Sequence, residues 1–314
     1  MSGEAQTVYV DTDDNVPWYH IFAETVRTAG ERTKAVAMHS TAYLVVVATI
    51  ESIIVTAALS VPPNVTPLVV GLLTFAVYGG DRIADADTDE MTSPEQSAFV
   101  QRYESVLSIL TAGAYGVAIA ISTTGGPLAL GLTLLPGAFW ILYASDWLPT
   151  LSSGFDRLKG ILVVNSALVA LAWAITMTFL PLAFADAAVT PVAAVVFAYF
   201  FLDRFINVEI PNVEDRAGDE AIGVSTLPTV LGLRRTRWVL YGLTLSGAAL
   251  LIGSFAVELL TLRLTVALLV GVGYTLVASA LVGRLDEYGP LTVASNGKHL
   301  IVFAAVLLLS AFGV

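Results

Sequence analysis

The chain has 314 residues, 56% of them hydrophobic and 13% charged, with a net charge of −11. A soluble domain carries roughly 25% charged residues, so the composition excludes a soluble fold and reads as an all-α, polytopic membrane protein. The acidic balance excludes nucleic acid as a partner, which would need a basic face. The absence of cysteine excludes disulfides and thiolate metal sites, and three scattered histidines (His20, His39, His299) argue against a histidine zinc site.

Residues 1–36 read as a polar tail followed by an interfacial segment carrying Trp18, Tyr19 and Phe22, with no apolar core of a secretory signal. Residues 37–314 read as the membrane domain. A spanning helix needs roughly 20 mostly apolar residues, and nine spans are predicted. The first covers 37–61 and is closed by Pro62-Pro63-Asn64; the second covers 66–80. Between Ser105 and Ser145 no residue is charged, and Gly125-Gly126-Pro127 divides that run into a third and a fourth helix. The fifth is placed at 160–182, the sixth at 187–203, the seventh at 238–257, the eighth at 264–283 and a short ninth at 299–314. With these spans alternating, fourteen of the fifteen Lys and Arg fall on one side and only Arg263 on the other. The positive-inside rule makes that side cytoplasmic, with the N-terminus inside and the C-terminus outside.

Two acidic segments emerge from apolar runs on that same face. The first, Asp81-Arg-Ile-Ala-Asp85-Ala-Asp-Thr-Asp89-Glu90, has five acids in ten residues. Asp81, Asp85 and Asp89 are spaced by four, which on a helix stacks three carboxylates on one face. The second, Asn212-Val-Glu-Asp215-Arg-Ala-Gly-Asp219-Glu220, again carries acids spaced by four. Like charges so arranged repel unless a cation intervenes, and ligands that are all hard oxygen suit Mg²⁺ or Ca²⁺. The pair reads as two halves of one metal site; the alternative is a pair of solvated acidic loops.

The ordered segments resemble the UbiA superfamily of intramembrane prenyltransferases, including its archaeal members. Asp81, Asp85 and Asp89 match that family's first aspartate-rich motif, with Asp81 in the place of its usual asparagine. Asn212, Asp215 and Asp219 match the second, followed by Gly223-Val-Ser-Thr226-Leu-Pro. Between them, Tyr143, Arg157-Leu-Lys159 and Asn165 stand where the family has a tyrosine, an Arg-Leu-Lys and a polar residue in the fifth helix. One departure is Thr92-Ser93-Pro94, where the family often has Asn-Arg-Pro.

The resemblance implies nine transmembrane helices around a central cavity, a multi-pass location in the cell membrane, and an active site facing the cytoplasm. It implies transfer of an isoprenyl group from an allylic prenyl diphosphate to a lipophilic acceptor, such as an ether-lipid, carotenoid, quinone or haem precursor. Mg²⁺, expected as two ions, would be held by Asp81, Asp85, Asp89, Asp215 and Asp219, the last four of these being the catalytic set. Arg82, Arg157, Lys159 and Arg216 would complete a clamp on the diphosphate. Asn165 and Asn212 would line the substrate site, and the Tyr143 ring could face the allylic cation. Glu51 stands apart. It lies mid-way along the first span, where an ionisable residue is a functional candidate. It could bind the acceptor, remove its proton, or simply face the cavity. A cation-coupled carrier using Glu51, or a catalytically silent lipid-binding member of the family, is the competing function.

Overall fold

The computed structural model describes residues 41–87, 94–144, 164–222, 225–285 and 288–312. The expected tail and interfacial segment lie outside them, as do Asp89, Arg157 and Lys159. The chain forms α1 (Ala42–Ala58), α2 (Thr66–Ala84), α3 (Pro94–Ser122), α4 (Gly126–Ala144), α5 (Val164–Phe184), α6 (Pro191–Glu214), α7 (Arg216–Ile222), α8 (Leu227–Ala256), α9 (Leu262–Leu281) and α10 (Gly289–Ala311).

Helix starts follow the local chemistry. Asn64 Oδ1 accepts from Thr66 N at 3.0 Å ahead of α2, Thr261 Oγ1 accepts from Leu264 N at 3.3 Å ahead of α9, and α6 and α8 open with a proline in the first turn, where its missing N–H costs nothing. Ser60, Asp186 and Glu258 follow the ends of α1, α5 and α8 in left-handed conformation (φ 56°, 47° and 60°). All three are exposed, at the helix-end position usually given to glycine.

Seven segments are long and apolar enough to cross a membrane. One of them, Gln96–Trp140, runs through α3 and α4, which part at Gly126, whose φ of 81° a residue with a Cβ would adopt only under strain. Counted as two, and with the 17-residue α1 added, the described apolar helices number nine.

Three predicted spans have different limits. The sixth was placed to end at Asp203, yet α6 runs to Glu214. The seventh was placed from Trp238, yet α8 starts at Leu227 and kinks at Gly232 (φ 74°) before continuing. The ninth was placed from His299, yet α10 starts at Gly289. One cause serves the first and the last. Arg204 and Lys298 resemble loop cations in sequence but are buried within α6 and α10, where acids on neighbouring helices compensate them. A paired charge need not end a span. With Arg204 and Lys298 removed, twelve of the fourteen cations assigned to the cytoplasmic side are left to carry the topology signal.

The spanning helices pack in a closed ring. Each packs on the next, from α1 through α6, on to α8, α9 and α10, and α10 returns to α1. Across the ring, α1 reaches α5 and α6, and α10 reaches α6. Two apolar cores fill the half of the ring distant from the acidic segments. One joins Ile54 and Val55 of α1 to Phe200 of α6 and Val302 of α10; the other joins Val69 and Leu73 of α2 to Trp173 and Met177 of α5.

Candidate active site at two helix ends

The first acidic segment straddles the end of α2 rather than lying on one helix face. The helix stops at Ala84, and Asp85 caps it, its N–H donating to Asp81 O at 2.9 Å. Negative charge opposes the dipole at a helix C-terminus, and stacked carboxylates repel, so the helix ends inside the ladder. Asp81 is half-buried on the last turn and Asp85 is exposed. Trp140 Nε1 of α4 donates to Asp81 Oδ1 at 3.1 Å. Ser97 Oγ of α3 donates to Ala86 O at 2.5 Å, tying the turn to the next helix. Arg82 lies in the same last turn of α2.

The second segment is built the same way. Asp215 caps α6, its N–H donating to Pro211 O at 3.1 Å, and Asp219 lies in the first turn of α7. Thr226 Oγ1 donates to Asp219 Oδ2 at 3.5 Å. Burial pushes the Asp219 carboxyl up from its ordinary pKa, and the Thr226 hydrogen bond offsets part of that rise. Arg216 Nε donates to Glu220 Oε1 at 2.8 Å, a pair on the half-exposed surface of α7. Asn212 Nδ2 donates to Ser166 Oγ of α5 and to Glu209 Oε2, each at 3.4 Å. Tyr143 falls in the last turn of α4 and Asn165 in the first turn of α5; their side chains lie outside the described residues.

Glu209 was not singled out from sequence. It is fully buried, and its Oε2 also accepts from Leu227 N at 3.2 Å. One carboxylate thus joins the start of α8 to Asn212 beneath the second acidic segment. The signal was available: an acid within an apolar run is a functional candidate by the rule that singled out Glu51. Glu209→Ala is expected to leave the Leu227 N–H and the Asn212 amide short of an acceptor, at about 1–3 kcal/mol. Glu209→Gln retains one acceptor oxygen and should lose less. Thermal unfolding of the two variants in detergent checks this order; an alanine variant as stable as the wild type would refute it.

Glu51 is not free to serve as a base or cation ligand. Arg204 of α6 holds it through a two-point fork, Nε to Oε1 at 3.0 Å and Nη2 to Oε2. Beside it, Lys298 Nζ of α10 meets Asp203 Oδ1 at 2.5 Å and donates to Asn207 Oδ1 at 3.0 Å. Asn207 Nδ2 donates to Asp203 Oδ2 at 3.3 Å. His299 Nε2 stands 3.3 Å from Asp203 Oδ2, with its ring stacked on Phe200. In the linear sequence Asp203, Arg204 and Lys298 stand at or beyond the predicted span ends, where nothing joins them to Glu51.

The family model for the UbiA prenyltransferase family matches residues 44–295. Solved structures share the fold at low sequence identity. An apo UbiA homologue from Aeropyrum pernix K1 is 16% identical with a TM-score of 0.65, over 85% of this chain and 98% of its own. A UbiA homologue from Archaeoglobus fulgidus bound to GPP and Mg²⁺ is 15% identical with a TM-score of 0.60, over 85% and 96%. A digeranylgeranylglyceryl phosphate synthase is 15% identical with a TM-score of 0.54, over 85% and 96%. No curated protein matches the sequence.

Proposed function

Because this chain belongs to the UbiA prenyltransferase family, we propose that it is a Mg²⁺-dependent intramembrane prenyltransferase. It moves an isoprenyl group from an allylic prenyl diphosphate to a lipophilic acceptor of the ether-lipid, carotenoid, quinone or haem-precursor kind. The observation that carries the reading is the pair of acidic helix ends, at α2 and at α6–α7, in a multi-pass protein of this family. The similarity to a homologue solved with GPP and Mg²⁺ supports it.

The donors at these helix ends fit a hard divalent cation: Asp81, Asp85, Asp215 and Asp219 offer only carboxylate oxygen, with Asp89 completing the set. Bound Mg²⁺ would supply positive charge to the diphosphate in the ground state and as it leaves. The chain's own residues do the rest. Thr226 orients the Asp219 carboxylate, and Trp140 orients that of Asp81. Arg82, Arg157, Lys159 and Arg216 are assigned to the diphosphate oxygens, Arg216 exchanging Glu220 for substrate. Asn212 and Asn165 are assigned to the substrate site. The Tyr143 ring is assigned to the face of the allylic cation, and the surrounding helices exclude the water that would quench it. The site faces the cytoplasm of a cell membrane.

Transfer of label from a radiolabelled prenyl diphosphate into a lipid-soluble product tests the reading. Product should form with Mg²⁺ and disappear with chelator. Transfer indifferent to chelator would rule the mechanism out.

A further inference from the structure

Three acids are buried among the described residues: Glu51, Asp203 and Glu209. A buried carboxylate is costly unless a cation and hydrogen bonds compensate it. Arg204 compensates Glu51, and Lys298 compensates Asp203. Glu209 has no such counter-ion. It is 0% exposed, it makes no ion pair among the described residues, and its Oε1 accepts no hydrogen bond.

Its place in the fold is beside the second acidic segment. Oε2 accepts from Leu227 N at 3.2 Å and from Asn212 Nδ2 at 3.4 Å. The residue before Leu227 is Thr226, whose hydroxyl donates to Asp219 Oδ2 at 3.5 Å. Glu209 and Asp219 are near enough for their negative charges to repel. A cation held by Asp219 would turn that repulsion into attraction. Two other roles explain less. A hydrogen-bond acceptor for Leu227 N needs no charge, since a glutamine amide oxygen would serve. A general base needs an oxygen that a substrate can touch, and no part of Glu209 is exposed.

We propose that Glu209 is a positioning residue for the cation half-site of Asp215 and Asp219: its buried charge strengthens cation binding there, and its hold on Leu227 sets Thr226 against Asp219. The inference deepens the prenyl-transfer reading above and rests on it. The two contributions are separable. Oε2 orders Leu227 and Asn212 as an acceptor, whereas the charge acts on the cation through the intervening low-dielectric interior. Partners that stand behind a metal ligand typically change metal affinity or activity roughly 10- to 100-fold.

The test is a Mg²⁺ titration of the full chain in detergent with inorganic diphosphate present, read as the rise in unfolding temperature. Activation of label transfer from geranyl diphosphate is a second reading. Glu209→Gln keeps an acceptor oxygen and loses the charge; Glu209→Asp keeps the charge and withdraws it from Leu227. Glu209→Gln should raise the Mg²⁺ concentration giving half the response roughly 10- to 100-fold in both readings, with transfer recovering at saturating Mg²⁺. Glu209→Asp should stay near the wild-type concentration, yet unfold more readily than Glu209→Gln when Mg²⁺ is withheld. An acceptor role alone predicts the opposite order in Mg²⁺ response. A Mg²⁺ response unchanged in Glu209→Gln, or lost equally in Glu209→Asp, overturns the inference and leaves prenyl transfer standing. If the wild type responds to Mg²⁺ in neither reading, the metal-dependent reading itself falls, and the role of Glu209 with it.

Discussion

Changing Asp85 or Asp219 to alanine is expected to lower prenyl transfer roughly 100- to 1,000-fold, the usual cost of losing one preorganised electrostatic contact in an active site. Each change removes an anionic oxygen ligand and leaves the bound cation less neutralised. Asparagine keeps the shape but not the charge, so Asp85→Asn and Asp219→Asn should be nearly as damaging. Asp89→Ala and Asp215→Ala belong to the same set. The double variant should not multiply the losses, because groups that act as a unit fail together. Folding should survive. Asp85 is exposed at a helix cap, and Asp219 makes one long hydrogen bond to Thr226. Asp81→Asn is the control: its Oδ1 accepts from Trp140, and an amide oxygen can do the same. It should remain active, with an altered Mg²⁺ dependence. Label transfer from a prenyl diphosphate measures all of these, and full activity in Asp85→Ala or Asp219→Ala would remove those residues from the mechanism.

The second large effect is on stability. Glu51→Ala strips Arg204 of its partner while leaving the guanidinium buried, and breaking a buried pair in this way costs about 3–5 kcal/mol. Replacing both, Glu51→Leu with Arg204→Met, removes the two charges together and fills similar space. That pair of changes should recover most of the loss, since apolar replacement of a whole buried ion pair is often neutral or better. The two partners are in contact, so their effects must not add. Unfolding of Glu51→Leu, Arg204→Met and the double variant in one detergent measures the coupling. Additive losses would show that the fork contributes nothing. The same measurement bears on a cation-coupled carrier, which needs Glu51 to exchange ligands and so predicts little loss of fold on its removal.

Much was legible in the linear chain because it depends on local composition. The apolar runs announced a multi-pass helical protein, since lipid leaves the backbone no other partner than its own helix. The Gly125-Gly126 break between α3 and α4 and the four-residue spacing of the acids are likewise local. The order of those acids, with Thr226-Leu-Pro after them, led to the family. What the chain alone did not yield depends on partners distant in sequence. Whether Asp203, Arg204 and Lys298 end a helix or lie inside one is decided by 153 residues of separation between Glu51 and Arg204 and 91 between Asn207 and Lys298. Seen singly, each charge reads as a boundary; brought together across the ring, they neutralise one another and the helices run on. Glu209 follows the same logic. Its role depends on Leu227, eighteen residues later, whose N–H it accepts only because α8 begins where α6 ends. Local periodicity specifies which segments enter the membrane. Only packing decides which of their polar groups find a partner there, because the cost of a buried charge is set by what stands opposite it.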